Sequence, residues 1–316
     1  MTFKFDHQMM WIAAGVFGGL SLASVTGFVL SRTAKSDSAK ATVANMNART
    51  RSWWIMVVIF ALSFVVGTGG SMVLFGFISI LALREYMSLI NPVPADHRTL
   101  FWAFFVFTPV QYIFWYEGWY GLAIILIPVY AFLFIPTRLT LSHETAGFLD
   151  RAARIHWGLM ICIYCISYAP GLLTLKILGY EGQDAKLLLF LVMVAQLSDV
   201  FQYIWGKLLG RHKIAPTISP NKTWEGFVGG VATACAVGTA LYWMTPFKPL
   251  EALGMSFAIT IMGFAGGLTM SAIKRDRSVK DFGTTIEGHG GILDRIDSVS
   301  FASPPFFHLT RYYFAT

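Results

Sequence analysis

The chemistry in this 316-residue chain is concentrated towards its C-terminal end. Between Ser271 and Asp297, Lys274, Arg275, Arg277 and Lys280 are interspersed with Asp276, Asp281, Glu287, Asp294 and Asp297, and His289 is followed by Gly290 and Gly291. A solvated loop accounts for the bases. It does not account for Asp294, Arg295 and Asp297, which continue into an apolar stretch where their spacing puts both carboxylates on one helix face. Two carboxylates so placed, joined by Asp281 or by Asp199 from upstream, suit a hard divalent cation. Mg2+ in particular is held by a few carboxylates together with substrate phosphates. Lys and Arg nearby neutralise such phosphates. These are the parts of a phosphoryl or nucleotidyl transfer site, where positioning and charge stabilisation supply most of the catalysis.

Two upstream features extend the cluster. Asp199, in Gln196-Leu197-Ser198-Asp199, is a carboxylate inside an apolar run. Placing it there costs about 2.5–3.5 kcal/mol on insertion scales, which argues for a partner, an ion or a pathway. The plainer alternative is a pairing with Lys207 or Arg211 that orients the helix. The run Ser219-Pro220-Asn221-Lys222-Thr223-Trp224-Glu225-Gly226 opens a segment that also contains Gly229 and Gly230. It reads equally as a phosphate cradle or as a helix cap followed by glycines that pack against a neighbour. Walker A spacing is absent. Cys162-x-x-Cys165 lies inside an apolar run and is read as packing thiols, not as a redox or zinc site.

The elements that must position these residues are membrane spans. Hydrophobic residues make up 55% of the chain and charged ones 13%, against about 45–50% and about 25% in soluble domains. Three cysteines exclude a secreted disulfide scaffold, and the scarcity of charge excludes a disordered or nucleic-acid-coating chain. Apolar stretches of spanning length run over 8–30, 53–83 (split in two at Gly67-Thr68-Gly69-Gly70), 99–116, 119–136, 156–178, 187–207, 225–244, 253–273 and 292–314. An all-α polytopic protein of about ten transmembrane helices is expected, with 1–186 as scaffold and 187–316 carrying the motifs. Every second loop (31–51, 84–98, 137–155, 207–224 and 274–291) holds basic residues, together 18 of the 24 in the chain. Lys and Arg favour cytoplasmic loops, which puts the N-terminus outside and the motifs at the cytoplasmic face. Pro304-Pro305 predicts a broken last helix beside the acidic cluster, opening a lateral groove for a two-chain lipid.

The run Ser271-x-Ile273-Lys274-Arg275-x4-Lys280-Asp281-x-Gly283, followed by His289-Gly290-Gly291-Ile292-x-Asp294-Arg295-Ile296-Asp297, closely resembles the signature of phosphatidate cytidylyltransferases, the CDP-diacylglycerol synthases. Asp199, Gly210-Arg211-His212-Lys213-Ile214-Ala215-Pro216 and Ser219 to Gly226 are similar to the same family's upstream block. So, more weakly, is Leu83-Arg84-Glu85-Tyr86. The resemblance implies transfer of the cytidylyl group of CTP to phosphatidic acid, with Mg2+, and K+ as an optional companion ion, in an inner membrane. It implies Asp281, Asp294 and Asp297 as metal ligands, with Asp199 beside them. It implies phosphate contacts from Lys222, Lys274, Arg275, Lys280 and Arg295, supported by Ser219, Asn221, Gly290 and Gly291. His289 is expected to position phosphate, because the nucleophile is already ionised. Membrane lipids are expected partners and nucleic acid is not; a homodimer is the oligomer kept in view. The chain departs from the family at Glu287, where Pro or a small residue is usual, and at Val200-Phe201-Gln202, where small or hydroxyl residues are common. Three readings compete: a CTP-dependent lipid kinase, a transporter with an acidic path, and a non-catalytic lipid-binding paralogue.

Overall fold

The computed structural model describes residues 6–33, 36–286 and 290–315. Among them the expected spans are all helical: α1 (His7–Thr33), α2 (Asp37–Val66), α3 (Thr68–Ile90), α4 (Pro94–Tyr116), α5 (Tyr120–Thr140), α6 (Phe148–Thr174), α7 (Asp184–Leu209), α8 (Trp224–Ala240), α9 (Pro249–Asp276) and α10 (Leu293–Phe314). Eight are long and apolar enough to cross a membrane. The other two are α8, with 17 residues, and α10, which carries the acidic cluster. A multi-pass, all-helical membrane protein follows. Its only strands among the described residues form a short antiparallel hairpin, β1 (Lys213–Ala215) and β2 (Ser219–Thr223), with Lys213 opposite Thr223.

The break inside 53–83 falls at Gly67, whose φ of 92° is accessible to glycine and closed to most other residues. Its N–H bonds back to the Ser63 and Phe64 carbonyls, ending α2, and Thr68 starts α3 at once. Helices α4, α5 and α6 each contain a widened π-type turn, at Ala103–Phe107, Leu126–Ala131 and Met160–Cys165. Cys162 and Cys165 lie in the last of these, unbridged, with Cys162 fully buried.

Loops predicted to share a face are tied together on it. Arg151 on α6 makes a buried ion pair with Asp96 at 2.7 Å, joining loops 137–155 and 84–98. Tyr86 Oη donates to the Arg154 carbonyl, and Arg275 Nε donates to the Ile218 carbonyl at 3.3 Å, joining the hairpin loop to the loop after α9. The intervening segments are cross-linked on the other face. There Tyr180 donates to the Met244 carbonyl, Lys186 pairs with Asp6, and Ile177 bridges Ala315. The alternation read from the charges is therefore the alternation of the fold.

The last helix departs from expectation. Pro304 and Pro305 remove two N–H donors, yet α10 continues unbroken through them to Phe314. Phe306, Phe307 and Ser303 beside the pair are fully buried, so surrounding helices hold the segment in place. Phe307 packs edge-on to Trp115 at 4.8 Å and to Tyr168 at 5.3 Å. The space expected to be a groove at the proline pair is aromatic core.

Candidate active site

Helices α7, α8, α9 and α10 converge where the motifs lie. The hairpin sets the approach of α8. Thr223 Oγ1 accepts from Gly226 N at 3.1 Å as the N-cap, and the Glu225 carboxylate accepts from Arg211 N at 3.0 Å and from His212 N at 3.2 Å. Glycines then let α8 lie directly on α7. A methyl at Gly226 would fall 2.9 Å from Gly206 Cα, and one at Gly230 would fall 2.7 Å from Gln202 Cα. The glycines of this segment pack α8 against α7. Ser219 and Asn221 stand in β2, Ser219 paired with Ala215 and Asn221 exposed.

Lys222, one residue before the cap, turns inward instead. It is half-buried, with Nζ 4.6 Å over the Phe264 ring of α9, and a side chain at Gly267 would come within 2.9 Å of that nitrogen and 3.8 Å of Asp297 Oδ2. Asp199 of α7 joins through α10: Ser298 Oγ donates to Asp199 Oδ2 at 2.5 Å and lies 3.4 Å from Asp297 Oδ1, which also accepts from Ser298 N at 2.8 Å. Two carboxylates and an ammonium thus share one compartment across three helices and the hairpin. Burial holds the Lys222 ammonium below the ordinary lysine pKa, while Asp199 and Asp297 act to restore it.

Asp294 has a different environment. Its Oδ1 pairs with Lys274 Nζ at 2.7 Å, and its Oδ2 accepts from Phe282 N at 2.8 Å and from Gly291 N at 3.0 Å. It organises the loop. Asp281 and Lys280 are exposed on that loop; a Cβ at Gly290, whose φ is 84°, would approach Asp281 Cβ at 3.3 Å and Asp294 Oδ2 at 3.1 Å. Arg275 spends its guanidinium on the Ile218 and Val279 carbonyls, at 3.3 and 2.8 Å. Arg295 places a buried Nε with no hydrogen-bond partner among the described residues. His289 and Glu287 lie outside the described residues.

Sequence reasoning missed the anchor of this loop. Glu85, near the end of α3, is 8% exposed, and its carboxylate caps α10 from a distant part of the chain. It accepts from Ile292 N at 3.0 Å, Leu293 N at 2.9 Å and Thr285 Oγ1 at 2.6 Å. A side chain at Gly291 would collide with it at 2.4 Å. The signal was an acid in Leu83-Arg84-Glu85-Tyr86, at the end of an otherwise apolar run.

The arrangement divides the acidic residues. Among the described residues no three His, Cys, Asp or Glu side chains stand close enough to hold an ion by themselves. The Asp199 and Asp297 pair nonetheless fits a hard cation: Asp199 Oδ1 and Asp297 Oδ2 accept no hydrogen bond among the described residues, and Mg2+ completes its shell with water and substrate phosphate.

The model of the cytidylyltransferase family matches residues 47–313. An uncharacterized protein of Escherichia coli (strain K12), YnbB, is 37% identical over 301 residues, 95% of this chain and 97% of its own length. The phosphatidate cytidylyltransferases of Staphylococcus aureus (strain COL) and Staphylococcus saprophyticus are 34% and 38% identical over 166 and 168 residues. Each of these two matches spans 52% of this chain and 60% of the staphylococcal protein.

Proposed function

Because this chain belongs to the cytidylyltransferase family, we propose that it transfers the cytidylyl group of CTP to phosphatidic acid, giving CDP-diacylglycerol and pyrophosphate. The observation that carries this reading is the Lys222 ammonium over Phe264, within electrostatic reach of the Ser298-linked Asp199 and Asp297, at the end of the bundle where the basic loops gather. In this reading the lipid phosphate attacks the α-phosphorus of CTP in line and pyrophosphate leaves. The attacking oxygen is already ionised at neutral pH, so no general base is needed. What the protein must supply is position and neutralisation of two anionic reactants.

Lys222 meets the phosphates as a half-buried ammonium, worth more there than at a fully solvated surface. Arg295, whose Nε is otherwise unpartnered, is the second cation. Asp199 and Asp297 would hold Mg2+, which would polarise the phosphoryl oxygens and neutralise the leaving group, and K+ could share the pair. Ser298 fixes the two carboxylates relative to each other through its hydroxyl. Lys274 and Asp294, locked together, act as the frame of the loop that carries Asp281, Lys280 and, by the motif, His289. We place the site on the cytoplasmic face of an inner membrane, because the loops on its side are the basic ones.

The test is pyrophosphate release by the purified chain in detergent micelles with CTP, phosphatidic acid and Mg2+, beside Asp297→Asn. Release that needs all three components and is lost in the variant is the expected result. Release of CDP instead would identify a lipid kinase. No turnover by folded protein would return the reading to a lipid-binding paralogue, with Glu287 the first residue to revert.

A further inference from the structure

Lys222 is held by a surface that takes none of its donors. Among the described residues its Nζ makes no hydrogen bond and no ion pair, and it lies 4.6 Å from the centroid of the Phe264 ring on α9. Asp199 and Asp297 act on it through charge at longer range. Lys274, the other inward-turned lysine of the motif region, is the contrast. It lies 5.3 Å from the centroid of the Phe282 ring, but its ammonium is already paired with Asp294 at 2.7 Å. A carboxylate in contact holds a lysine by occupying a donor and cancelling its charge. An aromatic face holds it through the ring quadrupole, cancels none of the charge and gives no N–H an oxygen partner.

The helix around Phe264 aims the ring. Here α9 reads Gly263-Phe264-Ala265-Gly266-Gly267. Gly266 lies on α10, where a Cβ would fall 2.6 Å from the Asp297 carbonyl oxygen, and Gly263 faces Ser298, with a Cβ 3.4 Å from Ser298 Cβ. Small residues bring α9 onto α10 on that side, and the one large side chain of the stretch reaches α8 instead. There Phe227 meets it, with ring centroids 4.4 Å apart and planes at 48°, and Trp224 meets Phe227 edge-on at 6.0 Å. Among the described residues the contiguous apolar core of the bundle includes neither Phe264 nor Phe227. The two rings form a separate unit braced between α8 and α9. Gly267 keeps the far side of the ammonium open, since a Cβ there would lie 2.9 Å from Lys222 Nζ and 3.8 Å from Asp297 Oδ2.

On the cytidylyl-transfer reading of this compartment, on which the inference rests, we propose that Phe264 is a positioning residue. Its ring face seats the Lys222 ammonium near Asp199 and Asp297 with the N–H groups left for phosphate oxygens, and Phe227 steadies the ring. A lysine is a point charge on a flexible four-carbon stem, so an unheld one must be ordered when the phosphates arrive. A charge fixed beforehand needs no such reorganisation, which is where electrostatic stabilisation of a transfer step gains most. A leucine at this position would fill much of the space without a quadrupole and would leave the ammonium unheld.

The test changes the charge distribution of the ring and keeps its shape. Fluorine withdraws density from a phenyl face while adding little volume, so mono-, di- and trifluorinated phenylalanines are placed at position 264 of the full chain by codon suppression, beside Phe264→Leu. Two readouts are taken in detergent micelles. The first is acylation of Lys222 by an amine-reactive ester with no substrate present, followed by peptide mass spectrometry. The second is pyrophosphate release with CTP, phosphatidic acid and Mg2+. Acylation is expected to rise stepwise along the fluorine series, to roughly three- to tenfold for the trifluorinated ring, and kcat to fall by a like factor, with the unfolding midpoint of the fluorinated chains unchanged. A ring that only fills space would respond to leucine and not to fluorine, and the fluorinated chains carry the test where Phe264→Leu does not fold. Acylation that stays flat along the series overturns the proposal whatever release does. So does acylation that rises while release holds, because the ring would then seat the lysine without serving transfer. No release even from wild type, with acylation still climbing, would overturn cytidylyl transfer and support the seat alone.

Discussion

Replacing Glu85 tests whether the motif loop is held from outside its own sequence. In Glu85→Ala the carboxylate that accepts from Ile292 N, Leu293 N and Thr285 Oγ1 disappears. Thr285 is exposed and Ile292 half-buried, so water can replace the lost acceptor at both; Leu293 is fully buried and has no such recourse. An unsatisfied buried N–H costs about 1–3 kcal/mol. Removing an anion from the start of α10 costs up to about 2 kcal/mol more where the charge is partly buried. The loss is therefore about 3 kcal/mol, or roughly 6–12 °C in the unfolding midpoint if a chain of this size moves about 2–4 °C per kcal/mol. Glu85→Gln keeps one acceptor and about half the effect. The assay is thermal unfolding in detergent followed by tryptophan fluorescence, with pyrophosphate release measured on the same samples. Release should fall with stability, because the first turns of α10 carry Asp294 and Asp297. A midpoint within about 1 °C of wild type for Glu85→Ala would place Glu85 with neutral surface substitutions and refute the argument.

Three further outcomes follow from the same geometry. Gly267→Ala puts a methyl 2.9 Å from Lys222 Nζ and is expected to cut pyrophosphate release severalfold while leaving the unfolding midpoint nearly unchanged. The Lys274 and Asp294 pair, 12% and 3% exposed at their side chains, should show strong coupling. Either Lys274→Met or Asp294→Asn alone is expected to cost about 3–5 kcal/mol, and the double variant less than their sum, read by a double-mutant cycle of unfolding. Burial lowers the Lys222 pKa, so the ammonium is lost, and the rate with it, on the alkaline side earlier than for an ordinary lysine. The unfolded chain binds the extra proton in that window, so Lys222 makes stability rise with pH where the rate declines. Lys222→Arg, always charged, should remove the alkaline limb of any activity it retains.

Much of this was legible in the chain because membrane physics makes sequence patterns strict. Length and apolarity define the spans, and basic loops such as 84–98 and 137–155 share a face that the buried Arg151–Asp96 pair then ties together. The gathering of Asp199, Lys222 and Asp297 could be suspected from composition. Their meeting in one compartment could not, since it depends on how closely α8 approaches α7 through Gly226 and Gly230 and on the space left at Gly267. Glu85 was hidden for another reason: two of its three partners are backbone N–H groups about two hundred residues away, and a backbone donor has no residue type to read. The proline pair misled because local propensity was weighed without the tertiary packing of Phe306 and Phe307 that overrides it.

Asp294 and Asp297 share one spacing and meet two environments. Both lie in the first turns of α10, and a helix sets them on one face, so sequence reasoning treats them as a pair. One turn of rise separates their environments. Asp294 sits where the loop returns, and Lys274, Phe282 N and Gly291 N occupy both its oxygens. Asp297 sits one turn deeper, where α7 and α9 face it, and among the described residues its Oδ1 alone is engaged, by the neighbouring Ser298. A cation recruited to Asp294 would have to displace a buried lysine and two backbone donors; at Asp297 it displaces neither. Asp294→Asn should therefore lower stability and rate together. Asp297→Asn should remove the rate while stability holds or rises, because it relieves repulsion with Asp199.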